Sequence, residues 1–191
     1  VYDEFRRLLV EQTRVQRVGP GDEHDFGQVI NERQLLAMVA AVEHAREAGA
    51  TVVAGGMRLD VAGHEGGYYM APTLVEGAAP ESEIARNELF GPIATLHRVR
   101  DFEEALQLAN ASAYGLTAAI WTGSMHRAQE FVQRVVAGGV QVNGPTYGFE
   151  PHVPFGGQRA SGTGWREAGT EALDVYSDWK MVYMTHDPEA L

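Results

Sequence analysis

The chain has 191 residues and carries 15 Lys and Arg against 26 Asp and Glu, a formal net charge of −11. That length suits one domain or one and a fraction, and a composition 45% hydrophobic and 21% charged excludes wholesale disorder. The acidity argues against a nucleic-acid or anionic-membrane partner, both of which need a positive surface; the absence of cysteine excludes disulfides, thiolate–zinc sites and a thiol nucleophile within this stretch.

Val1 to Val18 places Val1, Phe5, Leu8, Leu9 and Val15 close to helical spacing, and Gly19-Pro20-Gly21 stops the pattern. Because the chain opens inside that pattern on Val1 and not Met, it reads as a piece of something longer. Asp22 to Gln28 is an acidic loop. Asn31 is placed to cap a helix running through Ala48, with Leu35, Met38, Val39, Val42 and Ala45 on one face and Gly49 past its end. Thr51–Ala54 reads as a short strand. Tyr68–Val75 is a second extended run interrupted by Pro72, which suggests an edge strand or an irregular segment. From Ile93 the chain alternates. A strand at 93–99 is followed by a helix at 102–111 capped by Asp101, with Ala105, Leu108 and Ala109 inward. A strand at 116–121, a helix through Val136 capped by Ser124, and a strand at 140–143 complete the series. This alternation predicts βαβ units, a parallel sheet and an α/β class. A Gly/Pro-rich loop to Gly164, a helix at 166–176 and a strand at 180–185 close the sequence. No apolar run approaches the ~18 residues of a membrane-spanning helix and no signal-peptide pattern opens the chain, so the expected compartment is cytoplasmic.

The seven histidines are scattered singly, and no pair has metal-ligand spacing, so no metal site is expected. Asp22-Glu23-His24-Asp25 is ligand-rich but reads better as a solvated acidic loop. The loop PFGGQRASGTGWREAG lacks Gly-Lys-Ser/Thr, and Glu167 stands where a Rossmann fingerprint requires Gly. Its glycines are expected to let backbone pass close to a ligand or a neighbouring domain. Glu88, in NELFGP, sits between a helical turn and a strand. A carboxylate there can accept two hydrogen bonds from a vicinal diol, the pattern sugars present; an exposed loop glutamate is the plainer alternative. Phe149 and Phe155, with Tyr147 nearby, lie on a Gly/Pro-rich loop where aromatics can line an apolar substrate pocket or simply anchor the loop to a core.

NELFGP, LANASAYGLTAAIWT, VNGPT, VPFGGQRASGTGWREAG and WKMVYM occur here in an order and spacing that resembles the C-terminal part of the NAD(P)-dependent aldehyde dehydrogenases. VYDEFRRLLVEQ, VGPG, INERQ, GATVVAGG and APTLVEG are similar to that family's segments as well, so the resemblance spans about residues 1–186. It implies that Glu88 binds the hydroxyls of a nicotinamide ribose and that Phe90 stands beside the nicotinamide of NAD or NADP. Phe155 would sit at the mouth of a substrate tunnel, with Phe149 a second tunnel position and Tyr147 a less certain neighbour. It also implies a parallel-sheet catalytic domain, present in part over residues 1–160. Residues 161–178 would be a loop and helix returning toward a cofactor domain, and residues 179–191 an arm and tail whose strand joins a partner subunit in a homo-oligomer.

The family oxidises an aldehyde to the acid: a cysteine thiolate attacks the carbonyl, and hydride passes to the nicotinamide. The resemblance places that cysteine, the general-base glutamate and the oxyanion asparagine upstream of Val1, so no catalytic residue is expected in this chain, which alone should be inactive. The form SGTGWRE matches branches that include enzymes acting on semialdehydes of the 2-oxoglutarate type. The alternative is a non-enzymatic oligomerisation or binding module derived from the same family.

Overall fold

The structure is a computed structural model and describes residues 1–186 and 189. It divides into two compact units, 1–104 and 105–191. In the first, helix α1 (Tyr2–Arg14) is followed by α2 (Glu32–Glu47) and strands β1 (Thr51–Ala54), β2 (Arg58–Leu59), β3 (Tyr69–Met70) and β4 (Thr73–Glu76). The short helix α3 (Glu83–Arg86) then leads to β5 (Ile93–Leu96).

β4 pairs antiparallel with β1 and parallel with β5, in register from Thr73 opposite Ile93 to Glu76 opposite Leu96. The run expected to be an edge strand or irregular breaks at Ala71-Pro72, as its irregular reading allowed, but its second half, β4, is the centre of the three-stranded sheet. Pro72 stands just before β4, so its missing N–H costs no ladder bond, and the ladder side is supplied by Thr73 N donating to Pro92 O at 2.8 Å. β2 and β3 form a separate antiparallel pair.

α2 begins as its sequence requires: the Asn31 side chain accepts from Gln34 N at 2.9 Å. Leu35, Met38 and Val42 are fully buried and pack with Met70, Val75 and Ile84 in the main core of this unit. Each contributes roughly 1.5–3 kcal/mol by leaving water.

α1 is rotated from its sequence pattern. Val10 is buried, Tyr2, Arg6 and Leu9 are half-buried, and Phe5, Leu8 and Val15 are exposed. The cause is Glu76 at the end of β4. Its carboxylate accepts from the Tyr2 hydroxyl at 2.6 Å and from Arg6 Nε at 2.7 Å, which draws the polar side of the helix inward. Arg98 lies 4.0 Å from the Tyr2 ring centroid and pairs with Asp3.

Helix α4 (Phe102–Asn110) is capped by Asp101, whose Oδ1 accepts from Glu104 N at 2.9 Å. Its buried residue is Leu106, and Ala109 is exposed, contrary to the expected inward set of Ala105, Leu108 and Ala109. The side-chain amide of Asn110 donates to Arg134 O and accepts from Val136 N, which turns the Leu106–Asn110 edge inward.

The second unit holds β6 (Tyr114–Gly115), β7 (Thr117–Ile120), α5 (Met125–Arg134), β8 (Gly139–Val142), β9 (Gln158–Arg159) and α6 (Ala172–Val175). β7 and β8 are parallel and joined by α5, while β6 pairs antiparallel with β9. The Ser124 hydroxyl caps α5 by accepting from Arg127 N. The fold is mixed α/β with parallel pairing, as expected. The two parallel pairs are β4–β5 and β7–β8, however, and β5 and β7 belong to different sheets.

The helix expected over 166–176 is reduced to α6. Glu167 is engaged elsewhere, exchanging two 2.8 Å backbone hydrogen bonds with Phe155, and Ala168 (φ 63°) and Gly169 (φ 65°) are left-handed, which no α-helix accommodates. The strand expected over 180–185 does not form: these residues take no regular element and have no ladder partner among the described residues, and Trp179, Tyr183 and Met184 are exposed. Asp187, Pro188, Ala190 and Leu191 of the expected arm and tail lie outside the described residues. No helix among the described residues is long and apolar enough to cross a membrane.

Candidate functional site

In the first unit the loop 87–92 between α3 and β5 is held from beneath by α2. Gln34 Nε2 donates to Leu89 O at 2.6 Å, and the Leu89 side chain packs on the main core. Gly91 lies against Met38 so closely that a Cβ there would overlap the thioether sulfur. With Leu89 fixed, its neighbours Glu88 and Phe90 are both turned to solvent. Phe90 has φ 48° and is 76% exposed. A left-handed backbone and an exposed ring on a bulky residue are both unfavourable in isolation, and such strain concentrates where a ligand is gripped. Glu88 is exposed, and its carboxylate has no hydrogen bond or ion pair within the described residues. Together with Ile84, Asn87 and Ile93 these residues line a depression of about 250 Å³. An unengaged carboxylate beside an exposed aromatic face fits a nucleoside: the acid can accept from a ribose diol and the ring can cover a flat heterocycle.

Beside this loop, Leu9, Thr13, Phe26, Pro72, Leu74 and Pro92 line a larger apolar cavity of about 350 Å³ between the end of α1 and the starts of β4 and β5.

In the second unit Phe149 and Phe155 form a tilted pair, with ring centroids 5.1 Å apart and planes at 51°. Phe155 is fixed by its two bonds to Glu167. Phe149 lies against Gly139 at the start of β8, where a Cβ would come within 2.7 Å of the ring. Phe155 keeps 37% of its surface exposed, so the pair is only partly enclosed. Tyr147 is 78% exposed and stands outside the pair.

In the Gly-rich loop the close backbone approach is made within the chain itself. A Cβ on Gly138 would fall on the backbone of Gly156, and one on Gly157 would come within 2.2 Å of Ser161 O, so these glycines let the chain pass close to itself. Arg166 binds the result together by donating to the carbonyls of Gly157, Gly164 and Trp165.

Among the described residues no group of three or more His, Asp or Glu could hold a metal ion. Asp25 is engaged by Arg17, whose side chain and backbone N–H hold its carboxyl below the usual carboxylate range. His24 Nδ1 lies 2.6 Å from Pro20 O. Sequence reasoning missed Gln34, which holds the loop 87–92 through the Leu89 carbonyl. A glutamine whose partner is 55 positions away leaves no local pattern.

The chain belongs to the aldehyde dehydrogenase family, whose family model matches residues 1–182. It is 41% identical over 184 residues to the alpha-ketoglutarate semialdehyde dehydrogenase of Haloferax volcanii, covering 96% of this chain and 38% of that protein. It is 38% identical over 185 residues to the 2,5-dioxopentanoate dehydrogenase of Saccharolobus solfataricus, with the same coverage of each. Among solved structures it matches the HpcC of Thermus thermophilus at a TM-score of 0.87 and 33% identity, covering 98% of this chain and 38% of that one. It also matches the betaine aldehyde dehydrogenase of Staphylococcus aureus in complex with NAD+ at a TM-score of 0.84 and 30% identity, covering 91% and 35%. The chain thus spans well under half the length of the relatives it matches.

Proposed function

We propose that residues 1–191 supply the ribose-binding loop and the substrate-tunnel wall of a cytoplasmic NAD(P)-dependent aldehyde dehydrogenase that oxidises a semialdehyde to its carboxylic acid. The observation that carries this reading is the loop 87–92, where Glu88 and Phe90 are presented outward by the anchored Leu89 between them.

In this reading Glu88 accepts hydrogen bonds from the ribose diol, and Phe90 covers one side of the nicotinamide and keeps water from it. Phe149 and Phe155 grip the apolar part of the aldehyde and exclude water from the carbonyl carbon. The nicotinamide, when bound, supplies the hydride acceptor. The thiolate that attacks the carbonyl comes from outside this chain, which contains no cysteine. The semialdehyde class is supported by the names of the Haloferax and Saccharolobus relatives and by the SGTGWRE form of the loop. The exposed run Trp179–Met184 supports assembly into a homo-oligomer through that segment. It also favours, as the second reading, a chain retained for assembly alone.

The test has two arms. Purified residues 1–191 should form no NAD(P)H from any aldehyde. In the full-length dehydrogenase carrying these residues, Glu88→Gln should raise the cofactor KM and slow turnover by roughly tenfold or more, since a hydrogen bond to a charged group contributes about 1.5–3 kcal/mol. Unchanged kinetics would make Glu88 an ordinary loop acid.

A further inference from the structure

The parallel ladder between β7 and β8 ends with Ile120 opposite Val142. One residue later the chain leaves the sheet: Asn143 N still donates to Ile120 O at 2.8 Å, but Asn143 itself is left-handed, with φ 56°. The backbone therefore turns away just where Thr122, two residues past the end of β7, would need its next ladder partner. The side chain of Asn143 takes that place. Thr122 N donates to Asn143 Oδ1 at 2.8 Å, and Asn143 Nδ2 donates to Thr122 O at 3.0 Å. A side-chain amide carries the same donor and acceptor as a peptide unit, so the ladder gains one more step while the main chain departs. Asparagine is also the non-glycine residue that best tolerates this region of φ. Thr122 is anchored in turn, its Oγ1 accepting from Ser124 N at 3.1 Å at the start of α5.

What leaves the sheet at Asn143 is the loop 144–154, which carries Tyr147 and Phe149. Its far end is fixed by the Phe155–Glu167 exchange and by Gly169 N donating to Pro151 O at 3.1 Å. At its near end the Asn143 clamp sets the direction of exit, and Phe149 reaches back to Gly139 and Phe155 from there.

We propose that Asn143 is a positioning residue for substrate selection: by standing in for a peptide at the end of the β7–β8 ladder, its amide sets where Phe149 stands against Phe155. The inference rests on Phe149 and Phe155 lining the substrate tunnel. It adds that the tunnel's shape is governed by a residue that touches no substrate.

The experiment uses the full-length dehydrogenase carrying these residues, with kcat and KM measured separately for acetaldehyde and hexanal. Asn143→Gly keeps the left-handed backbone and removes the clamp. Asn143→Asp keeps the acceptor for Thr122 N and loses the donor to Thr122 O. Phe149→Ala serves as the reference for a damaged wall. Displacing a wall by a fraction of its contact distance should cut kcat/KM for hexanal by about tenfold, mainly through KM, while acetaldehyde changes less than about twofold. Asn143→Asp should show the same pattern at smaller amplitude, and it alone decides the matter if Asn143→Gly fails to fold. Equal losses for both aldehydes, or no loss, with Phe149→Ala still selective by size, would overturn the positioning role and leave the tunnel intact. Indifference to aldehyde size in Phe149→Ala would remove the tunnel reading, and the inference with it.

Discussion

Gly91→Ala is the most incisive single change to the loop that carries Glu88 and Phe90. A Cβ on Gly91 would overlap Met38 Sδ and lie 2.9 Å from its terminal methyl carbon. Met38 is fully buried between α2 and the sheet, so its side chain has no route to solvent and must repack or push the loop outward. Overpacking of this kind costs typically 1–3 kcal/mol. For a chain of this length each kcal/mol corresponds to about 2–4 °C in melting temperature, so a fall of roughly 4–8 °C is expected for a mid-range penalty of about 2 kcal/mol. The cause is isolated by a double-mutant cycle. Met38→Ala alone should cost about 2–5 kcal/mol through the cavity it leaves. Combined with Gly91→Ala, the new methyl moves into that space, and the double variant should be more stable than the sum of the singles by about 0.5–3 kcal/mol. Denaturant unfolding of the 191-residue chain, followed by far-UV circular dichroism, measures all four corners. Strict additivity, or a Gly91→Ala chain as stable as the parent, would refute the close approach.

Three further outcomes are expected. The Glu76 carboxyl is held below its ordinary range first by the Tyr2 hydroxyl and then by Arg6 and Arg98, against an opposing effect of burial. Its stabilisation is therefore complete above the unfolded Glu value of about 4.3 and is lost as pH falls through the lower folded value; a Glu76→Gln chain should show a flatter melting temperature between about pH 5 and pH 3, and an unchanged slope would count against it. In the full-length enzyme Phe155→Ala should leave the melting temperature within a few degrees while lowering kcat/KM for long aldehydes more than short ones, because a core-anchoring Phe would instead cost about 3–5 kcal/mol of stability. Ser124→Ala should destabilise the chain by about 1 kcal/mol through loss of the α5 cap, read by thermal melting; no change would show that water caps the helix equally well.

Much of the fold was legible because its signals are local. Asn31, Asp101 and Ser124 each cap the helix they precede, and β7–α5–β8 follows from its alternation. What escaped was decided by partners far along the chain. α1 buries the Tyr2–Arg6 side because Glu76 waits for it across 70 or more positions. The 166–176 helix is lost because Glu167 is claimed by Phe155. Pro72 marked an edge strand only under the assumption that it lies within the strand, and it lies one residue outside. At the candidate sites the residue types were readable from their motifs: Glu88 and Phe90 come together on one loop and Phe149 and Phe155 as one pair, while Tyr147 remains apart. The residues that hold these loops, Gln34 and Asn143, lie in the INERQ and VNGPT segments, but with their partners 55 and 21 positions away neither motif showed what they do.

The contact between Phe149 and Gly139 makes main chain, and not another side chain, the backing of the aromatic wall. A wall backed by a side chain can be retuned gradually, by one rotamer or one methylene at a time. Here the backing is the first residue of β8, whose position is tied to Thr117 by the strand register, so the ring inherits the placement of the sheet. If Phe149 lines the substrate tunnel as proposed, adaptation of the full-length dehydrogenase to a new aldehyde would proceed in jumps. The smallest available step at Gly139 adds a carbon 2.7 Å from the ring and relocates the whole aromatic, with its chemistry unchanged.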